Sequence, residues 1–389
     1  MTISGTPDAA YGIAGRLIVP SYDVAVDRFG EVFATDTAVR KFDPNGQPSA
    51  DFVDHMATPL AQSRVAVDVS GNVFSMAVAD GHWIVEKRDS SGQAVQAFGQ
   101  SGRVDLNSTW NITAIGRLFA DGSGNLYVWG VSIPPNFPRP VTHFVVKLDA
   151  SGKPVMSFGP SGDGRLFISS VFEQEPTLTS NGSGNIYAAM PANIGNIVAA
   201  KFDAGGMPAA GFSTGPTPIP CMSAVSTPFW AIAADPSGNI YVGGACSWGA
   251  EARYRVFVAK LDANGNPVSS FGNGGVAADF YVFPADAASQ GPSVGSTFLF
   301  QIVAAAGGSV YLALAGTPSG CTGTVVAKLG ADGKLVDAFG THGVTVTHDL
   351  AATGLLALDS AGRLYAAGLA HPVCPFSNPI TYAVDRFNG

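Results

Sequence analysis

IAADPSGNIYVGG (residues 232–244), FVAKLDANGNPV (257–268) and FGNGGVA (271–277) follow one another in mid-chain, and their reading decides the fold. Each is a short apolar run interrupted or closed by a turn rich in Gly, Asn and Pro. The stretch therefore reads strand, tight turn, strand, insert, strand, tight turn, strand. That is a four-stranded antiparallel meander, its strands lettered a to d in chain order. Outward from it, the first turn returns seven times, anchored on Gly30, Gly71, Gly124, Gly184, Gly238, Gly308 and Gly362. Its acidic residue (Asp27, Asp68, Asp121, Asp235, Asp359, with Asn181 substituting) can accept a hydrogen bond from the backbone two residues on, while the glycine supplies a positive φ. An aromatic stands three residues after each glycine: Phe33, Phe74, Tyr127, Tyr187, Tyr241, Tyr311 and Tyr365. Such a ring is expected to fill the space between neighbouring sheets. A strand-and-turn period of roughly 40–70 residues marks a radial or solenoidal array.

The two ends of the chain decide between those. The last repeat stops at DRFNG (385–389), just after strand c. Its missing strand d is found at the start: YGIAGRLIV (11–19) aligns with FGQSGRVDL (98–106), sharing the aromatic, both glycines and the arginine. The aromatic-Gly opening recurs at Phe158-Gly159, Phe271-Gly272 and Phe339-Gly340. The N-terminal strand should pair with the C-terminal blade and close the ring, which removes every exposed sheet edge. The expectation is all-β: a seven-bladed β-propeller of four-stranded antiparallel blades, one domain over residues 1–389. Residues 1–20 form the closing strand, and blades begin near 22, 63, 116, 176, 230, 300 and 354.

The D-x-S-G-N-[IL]-Y, K-[LF]-D-x-x-G and F-G-x-x-G elements resemble the bacterial delta-60 and NHL-type β-propeller repeats over nearly the whole chain. The third copy departs from the pattern by an extra WNIT (110–113), and the sixth by Ala305 in place of the turn Asp. The resemblance implies the fold and leaves the activity open, because such propellers host receptors, scaffolds, lyases and hydrolases alike.

Composition narrows the partners. Hydrophobic residues make up 46% and charged residues 13%, with 48 Gly and 26 Pro, a balance that excludes disorder. A net charge of −8 leaves no basic surface to track phosphates, so nucleic acid is not an expected partner. No apolar run reaches the length of about 18 residues needed to span a bilayer. The start, MTISGTPDAAYG, has neither a basic nor a hydrophobic leader region. Cysteine usage nevertheless favours a secreted or periplasmic protein, whose leader was removed and Met1 added.

In a meander the a–b and c–d turns share one face, and the b–c and d–a connections share the other. The second face collects the long inserts: 130–142, 215–229, 245–254, 279–297 and 369–381. Most of the prolines fall there, with Trp83, Trp110, Trp230 and Trp248 in or beside it, and His55, His82, His143, His348 and His371. Only His342 maps to the plain face. Variable loops on a rigid array are where binding and catalysis reside. Trp110, Trp230 and Trp248 are therefore candidate ligand contacts, suited to flat amphipathic ligands such as sugars; the bland alternative is that they pack the undersides of loops. Cys221, Cys246, Cys321 and Cys374 also fall there. Blade geometry favours Cys221–Cys246 and Cys321–Cys374 as disulfides, which implies an oxidising compartment. The alternative is four unrelated buried thiols.

The candidates for chemistry are few. There is no G-x-S-x-G elbow, no H-E-x-x-H and no P-loop, and the D-x-x-G turns lack the ligands of a calcium loop. No cofactor is expected. The axial mouth, read where each strand a begins, carries Asp23, Arg64, Arg117, Thr177, Ala231, Gln301 and Leu355. Two arginines and a carboxylate on one axis suit an anionic ligand, with Gln301 as a further polar contact. The bland reading is polar groups that merely solvate the axis. His55, His82, His348 and His371 are an alternative set of metal ligands, with Glu173 and Glu175 as bases nearby. The expectation is a monomeric recognition module that binds carbohydrate or a protein partner on the insert-rich face. The alternative is a polysaccharide lyase or hydrolase at the same axial funnel, using a divalent metal in one version. A third reading is a purely structural repeat segment.

Overall fold

The computed structural model describes residues 5–19, 23–55, 62–133, 141–168, 176–193, 195–213, 215–220, 230–248, 251–278, 298–316, 323–347, 350–370 and 381–387. These form seven antiparallel sheets arranged as a ring, a β-propeller. Blade one comprises Asp23–Val26, Val32–Thr35 and Val39–Phe42. Blade two comprises Gln62–Val67, Val73–Ala79, His82–Arg88 and Arg103–Asp105; blade three, Ala114–Ala120, Leu126–Ser132, Thr142–Leu148 and Arg165–Phe167. Blade four comprises Thr177–Ser180, Ile186–Asn193, Asn196–Phe202 and Thr217–Pro218; blade five, Trp230–Ala234, Ile240–Trp248, Glu251–Leu261 and Val276–Ala278. Blade six comprises Phe298–Ala304, Val310–Gly316, Gly323–Leu329 and Val344–Thr347. Blade seven takes Leu350–Leu358, Leu364–Ala370 and Thr381–Phe387 from the end of the chain and Arg16–Val19 from its start. Among the described residues, no helix is long and apolar enough to cross a membrane.

The closing strand pairs in register from Arg16↔Asp385 to Val19↔Tyr382. Arg16 clamps the Asp385 carboxylate through Nε at 2.7 Å and Nη2 at 2.8 Å. Arg386, next along, donates to Asp8 at 3.0 and 2.6 Å and to the Pro44 carbonyl of blade one. The shared arginine that aligned the N-terminal strand with strand d of blade two thus bonds an acidic partner in both places, Asp385 here and Glu86 there.

The recurring turn works as its chemistry requires. In blade two, Asp68 Oδ1 accepts the N–H groups of Ser70 and Asn72, both at 2.9 Å, and Gly71 sits at φ 79°. The aromatic that follows lies between sheets. Phe33, Phe74, Tyr127, Tyr187, Tyr241, Tyr311 and Tyr365 are all buried, and the hydrophobic cluster around each draws on the next blade. Each such ring contributes about 1.5–3 kcal/mol by burial. Most meet edge-on the aromatic that precedes strand d, as Phe74 does Phe98 at 5.8 Å and Tyr365 does Tyr11 at 5.9 Å. A strand c cation lies over these rings, for example Lys87 over both Phe74 and Phe98. Some reach on to the next blade's c–d turn, as Lys147 Nζ does to Ala204 O at 2.9 Å.

The plain face is stitched by backbone bonds. The N–H after the strand d aromatic donates into the next blade's c–d turn: Gly99 to Ser151 O, Gly159 to Gly205 O, Gly272 to Asp332 O, and across the closure Gly12 to Asn45 O. These contacts are close. A Cβ at Gly206 would meet the Gly159 backbone, so glycine is required there for space as well as for φ.

Two details of the sheets stand out. Three strands of blade one lie among the described residues, and residues 56–61, which follow its c–d turn, lie outside them. Phe52 keeps the aromatic place against Phe33, and Asp54 bonds the outer edge of strand c. Its Oδ2 accepts the Val39 N–H at 2.8 Å, and its Oδ1 accepts Arg88 Nε of blade two at 2.7 Å. Arg88 is fully buried and also bonds Ser75 Oγ and Glu86 Oε2. In addition, the insert expected at 245–254 is mostly strand. Strands b and c of blade five run on together past the ring, pairing Cys246↔Arg255 and Trp248↔Glu251.

Candidate functional site

The position four residues before each first-turn Asp lies on the innermost strand at one level of the axis. It carries Asp23, Arg64, Arg117, Thr177, Ala231, Gln301 and Leu355. An innermost strand turns one edge of unpaired N–H and C=O groups toward the axis, and these groups need partners. Neighbouring side chains supply some. Asp23 Oδ2 accepts the Val65 N–H of blade two at 2.9 Å. Arg64 Nε donates to Gly116 O of blade three at 2.9 Å. Gln301 bonds both ways to Leu356 of blade seven, its Oε1 accepting at 2.7 Å and its Nε2 donating at 3.1 Å.

Bulges aim several of these side chains. One extra residue is inserted in strand a between Gln62 and Arg64, and another between Leu299 and Gln301. In blade three the irregularity sets Gly116 and Arg117 opposite Trp129, whose ring occupies the space a Gly116 side chain would take. A bulge bends its strand and re-aims a side chain, which is why bulges recur at functional sites. No composition or alternation signal in the sequence marks them.

The hydrogen bonds place Asp23 against Arg64, and Arg64 against Arg117, along blades one to three. Asp23 is enclosed on nearly every side yet keeps part of its surface open. Burial pushes its carboxyl up from the ordinary 3.8, outweighing the Val65 N–H, the charge of Arg64, the Val24 N–H and the charge of Arg117. Arg117 stands among the blades but remains exposed, so it projects into open space inside the ring. Burial lowers its basicity, Asp23 opposes that shift, and Arg64 adds to it. Among the described residues, no hydrogen-bond acceptor reaches the Arg117 guanidinium.

The tryptophans divide. Trp110 is 3% exposed, packs in the core between blades two and three, and donates Nε1 to Asp163 O at 3.1 Å. Expected as a ligand contact, it is instead core: the extra WNIT segment tucks under the loop. Trp230, at the start of strand a, is half-buried edge-on to Phe257, and its Nε1 has no acceptor among the described residues. The Trp248 side chain lies outside the described residues.

The histidines do not converge where they are described. His55 is exposed, and His82 is exposed with Nδ1 2.8 Å from Asp105 Oδ2. No group of three or more metal-ligating side chains occurs among the described residues. His348, His371, Glu173 and Glu175 lie outside them. So do Cys221, Cys321 and Cys374 and the Cys246 side chain, and with them both expected disulfides. A separate cavity of about 810 Å³ opens on the outer strands of blades four and five, against the c–d turn of blade six. Lys334 is its one ionisable lining residue among the described residues, so it offers less chemistry than the axial position.

No protein-family model and no curated protein matches the chain. Among solved structures it is similar to a streptogramin B lyase, at 10% identity and TM-score 0.47, covering 99% of this chain and 96% of that one. It is also similar to a gluconolactonase of Xanthomonas campestris, at 12% identity and TM-score 0.37, covering 99% and 93%. A third is YCF48 from Cyanidioschyzon merolae, at 12% identity and TM-score 0.44, covering 96% and 99%. Likeness at this level leaves the activity open.

Proposed function

We propose that the protein is a recognition propeller, a member of the delta-60 and NHL-type repeat group, that takes its ligand at the axial mouth of the insert-rich face. The observation that supports this reading is the arc of Asp23, Arg64 and Arg117 at one level of the axis, with Arg117 open and without a hydrogen bond among the described residues. The opposite face is closed by repeated backbone bonds between blades, and its charged cluster, Asp8, Asp359, Arg363 and Arg386, is paired within itself at the ring closure. Carbohydrate is the favoured ligand class, and a protein partner the other. The enzyme reading, a polysaccharide lyase or hydrolase, would use the same arc, with Asp23 as the proton-transferring group because burial raises its carboxyl. Export, with disulfides Cys221–Cys246 and Cys321–Cys374, is part of the proposal. Thiol titration of the unfolded, unreduced protein then finds no reactive cysteine.

The test is a panel of neutral and acidic oligosaccharides and peptides, read in parallel by tryptophan fluorescence and by product analysis. Saturable quenching without new product supports recognition. Product formation that Asp23→Asn abolishes replaces it with the enzyme reading. No response from any member would overturn the proposal. Metal content of undialysed protein is measured beside it, and a stoichiometric metal would redirect attention to His55, His82, His348 and His371.

A further inference from the structure

The position that carries Asp23, Arg64 and Arg117 is asymmetric around the axis. Three consecutive blades bear charge there, while blades four, five and seven bear Thr177, Ala231 and Leu355. Gln301 of blade six is engaged by Leu356 through both ends of its amide. One sector is therefore ionic, and much of the rest is small or apolar.

Within the ionic sector the roles differ. Asp23 and Arg64 each bond the inner edge of the next blade and so help hold adjacent sheets together. Arg117 holds the same position on blade three, yet it makes no such bond to blade four among the described residues. It stays exposed although the blades surround it. Among the described residues Asp23 is the anion whose charge reaches Arg117, and it also faces Arg64, so the cost of holding Arg117 inside the ring is met only in part. The three described groups sum to one net positive charge, which a single negative charge balances.

Building on the recognition reading above, we propose that the axial site binds a monoanionic sugar acid: Arg117 grips the carboxylate, and the Asp23 and Arg64 sector receives the hydroxyl-bearing face. The planar guanidinium matches a carboxylate in a two-point grip that a sugar hydroxyl cannot reproduce. A carboxylate such as Asp23 accepts from hydroxyl groups beside the acid function. The protein's net charge of −8 disfavours polyanions at long range, so one charge on a small, otherwise neutral ligand fits better than a polyuronate chain.

Isothermal titration with glucuronate, glucose, acetate and a tripeptide with a free C-terminus tests this. The expected result is saturable binding of glucuronate, at least tenfold weaker binding of acetate and of the peptide, and none of glucose. Added salt should weaken the glucuronate signal. Arg117→Met should abolish it with a melting temperature no lower than the parent's, and Arg117→Lys should weaken it about tenfold, the factor equivalent to about 1.4 kcal/mol. Glucose binding as well as glucuronate, or glucuronate binding that survives Arg117→Met, would overturn the inference and leave a recognition propeller standing. Preference for the peptide would replace the sugar acid with a protein terminus and overturn it too. If no member of the broader oligosaccharide and peptide panel binds either, the recognition reading itself fails.

Discussion

At the scale of single residues, Trp110 and Asp23 behave differently because burial and exposure are decided non-locally. Trp110 was legible as an aromatic beside a variable loop, but only the folded chain shows its indole N–H bound to Asp163 O under blade three. Trp110→Ala should cost about 3–5 kcal/mol in denaturant unfolding and leave axial ligand binding unchanged. Asp23 is the reverse case. Its position was readable from the spacing to Asp27, whereas the burial that raises its carboxyl was not. A carboxyl raised above its unfolded value of 3.8 favours the fold below that pH, and this contribution is lost as pH rises through the folded value. Asp23→Asn keeps an oxygen for the Val65 N–H and removes the buried charge. Its melting temperature should therefore match or exceed the parent's at neutral pH, with the advantage gone near pH 3.5. A neutral-pH loss of stability that persists in acid would contradict this.

At the scale of elements, turn chemistry was the legible part. Asp-x-x-Gly and aromatic-Gly signals act within a few residues, so they survive translation from sequence to structure. The bulges before Arg64 and Gln301 were not legible, because one extra residue in an apolar strand changes neither composition nor turn signals. Nor was the role of Asp54 in blade one, where a carboxylate accepts a strand c N–H. Asp54 lies between the Val39 N–H and the buried Arg88 guanidinium, and Glu86, 0% exposed, sits on the other side of Arg88. Asp54→Ala strips Arg88 of one anion and leaves Val39 N–H without that acceptor. A loss of about 3–5 kcal/mol is expected by urea unfolding. A change under 1 kcal/mol would mean that Asp54 does not tie blade one to Arg88.

At the scale of the whole molecule, the permuted repeat predicted closure, and the register Arg16↔Asp385 to Val19↔Tyr382 bears it out. The charged clamps give that closure a pH signature. Burial acts to raise the Asp8 carboxyl, but the Arg386 hydrogen bond, the Ala10 N–H and the charges of Arg386 and Arg363 bring it below the ordinary 3.8. A lowered carboxyl stabilises the fold above its unfolded value and loses that contribution as pH falls through the folded one. Asp8→Asn should therefore lower the melting temperature at pH 7 and converge with the parent below pH 3. Equal melting temperatures at pH 7 would show that Asp8 does not support the closure.

The asymmetric arc at the axis is the feature on which function turns, and arginine side-chain NMR reaches it directly. In protein labelled with ¹⁵N-arginine, the Arg117 Nε–H signal is identified by its loss in Arg117→Lys, and glucuronate is then titrated in. A saturable shift of that signal, with the signals of the ring-closing Arg16 and Arg386 unmoved, is the expected result. No shift at Arg117, or shifts confined to arginines outside the axis, would contradict a ligand site there.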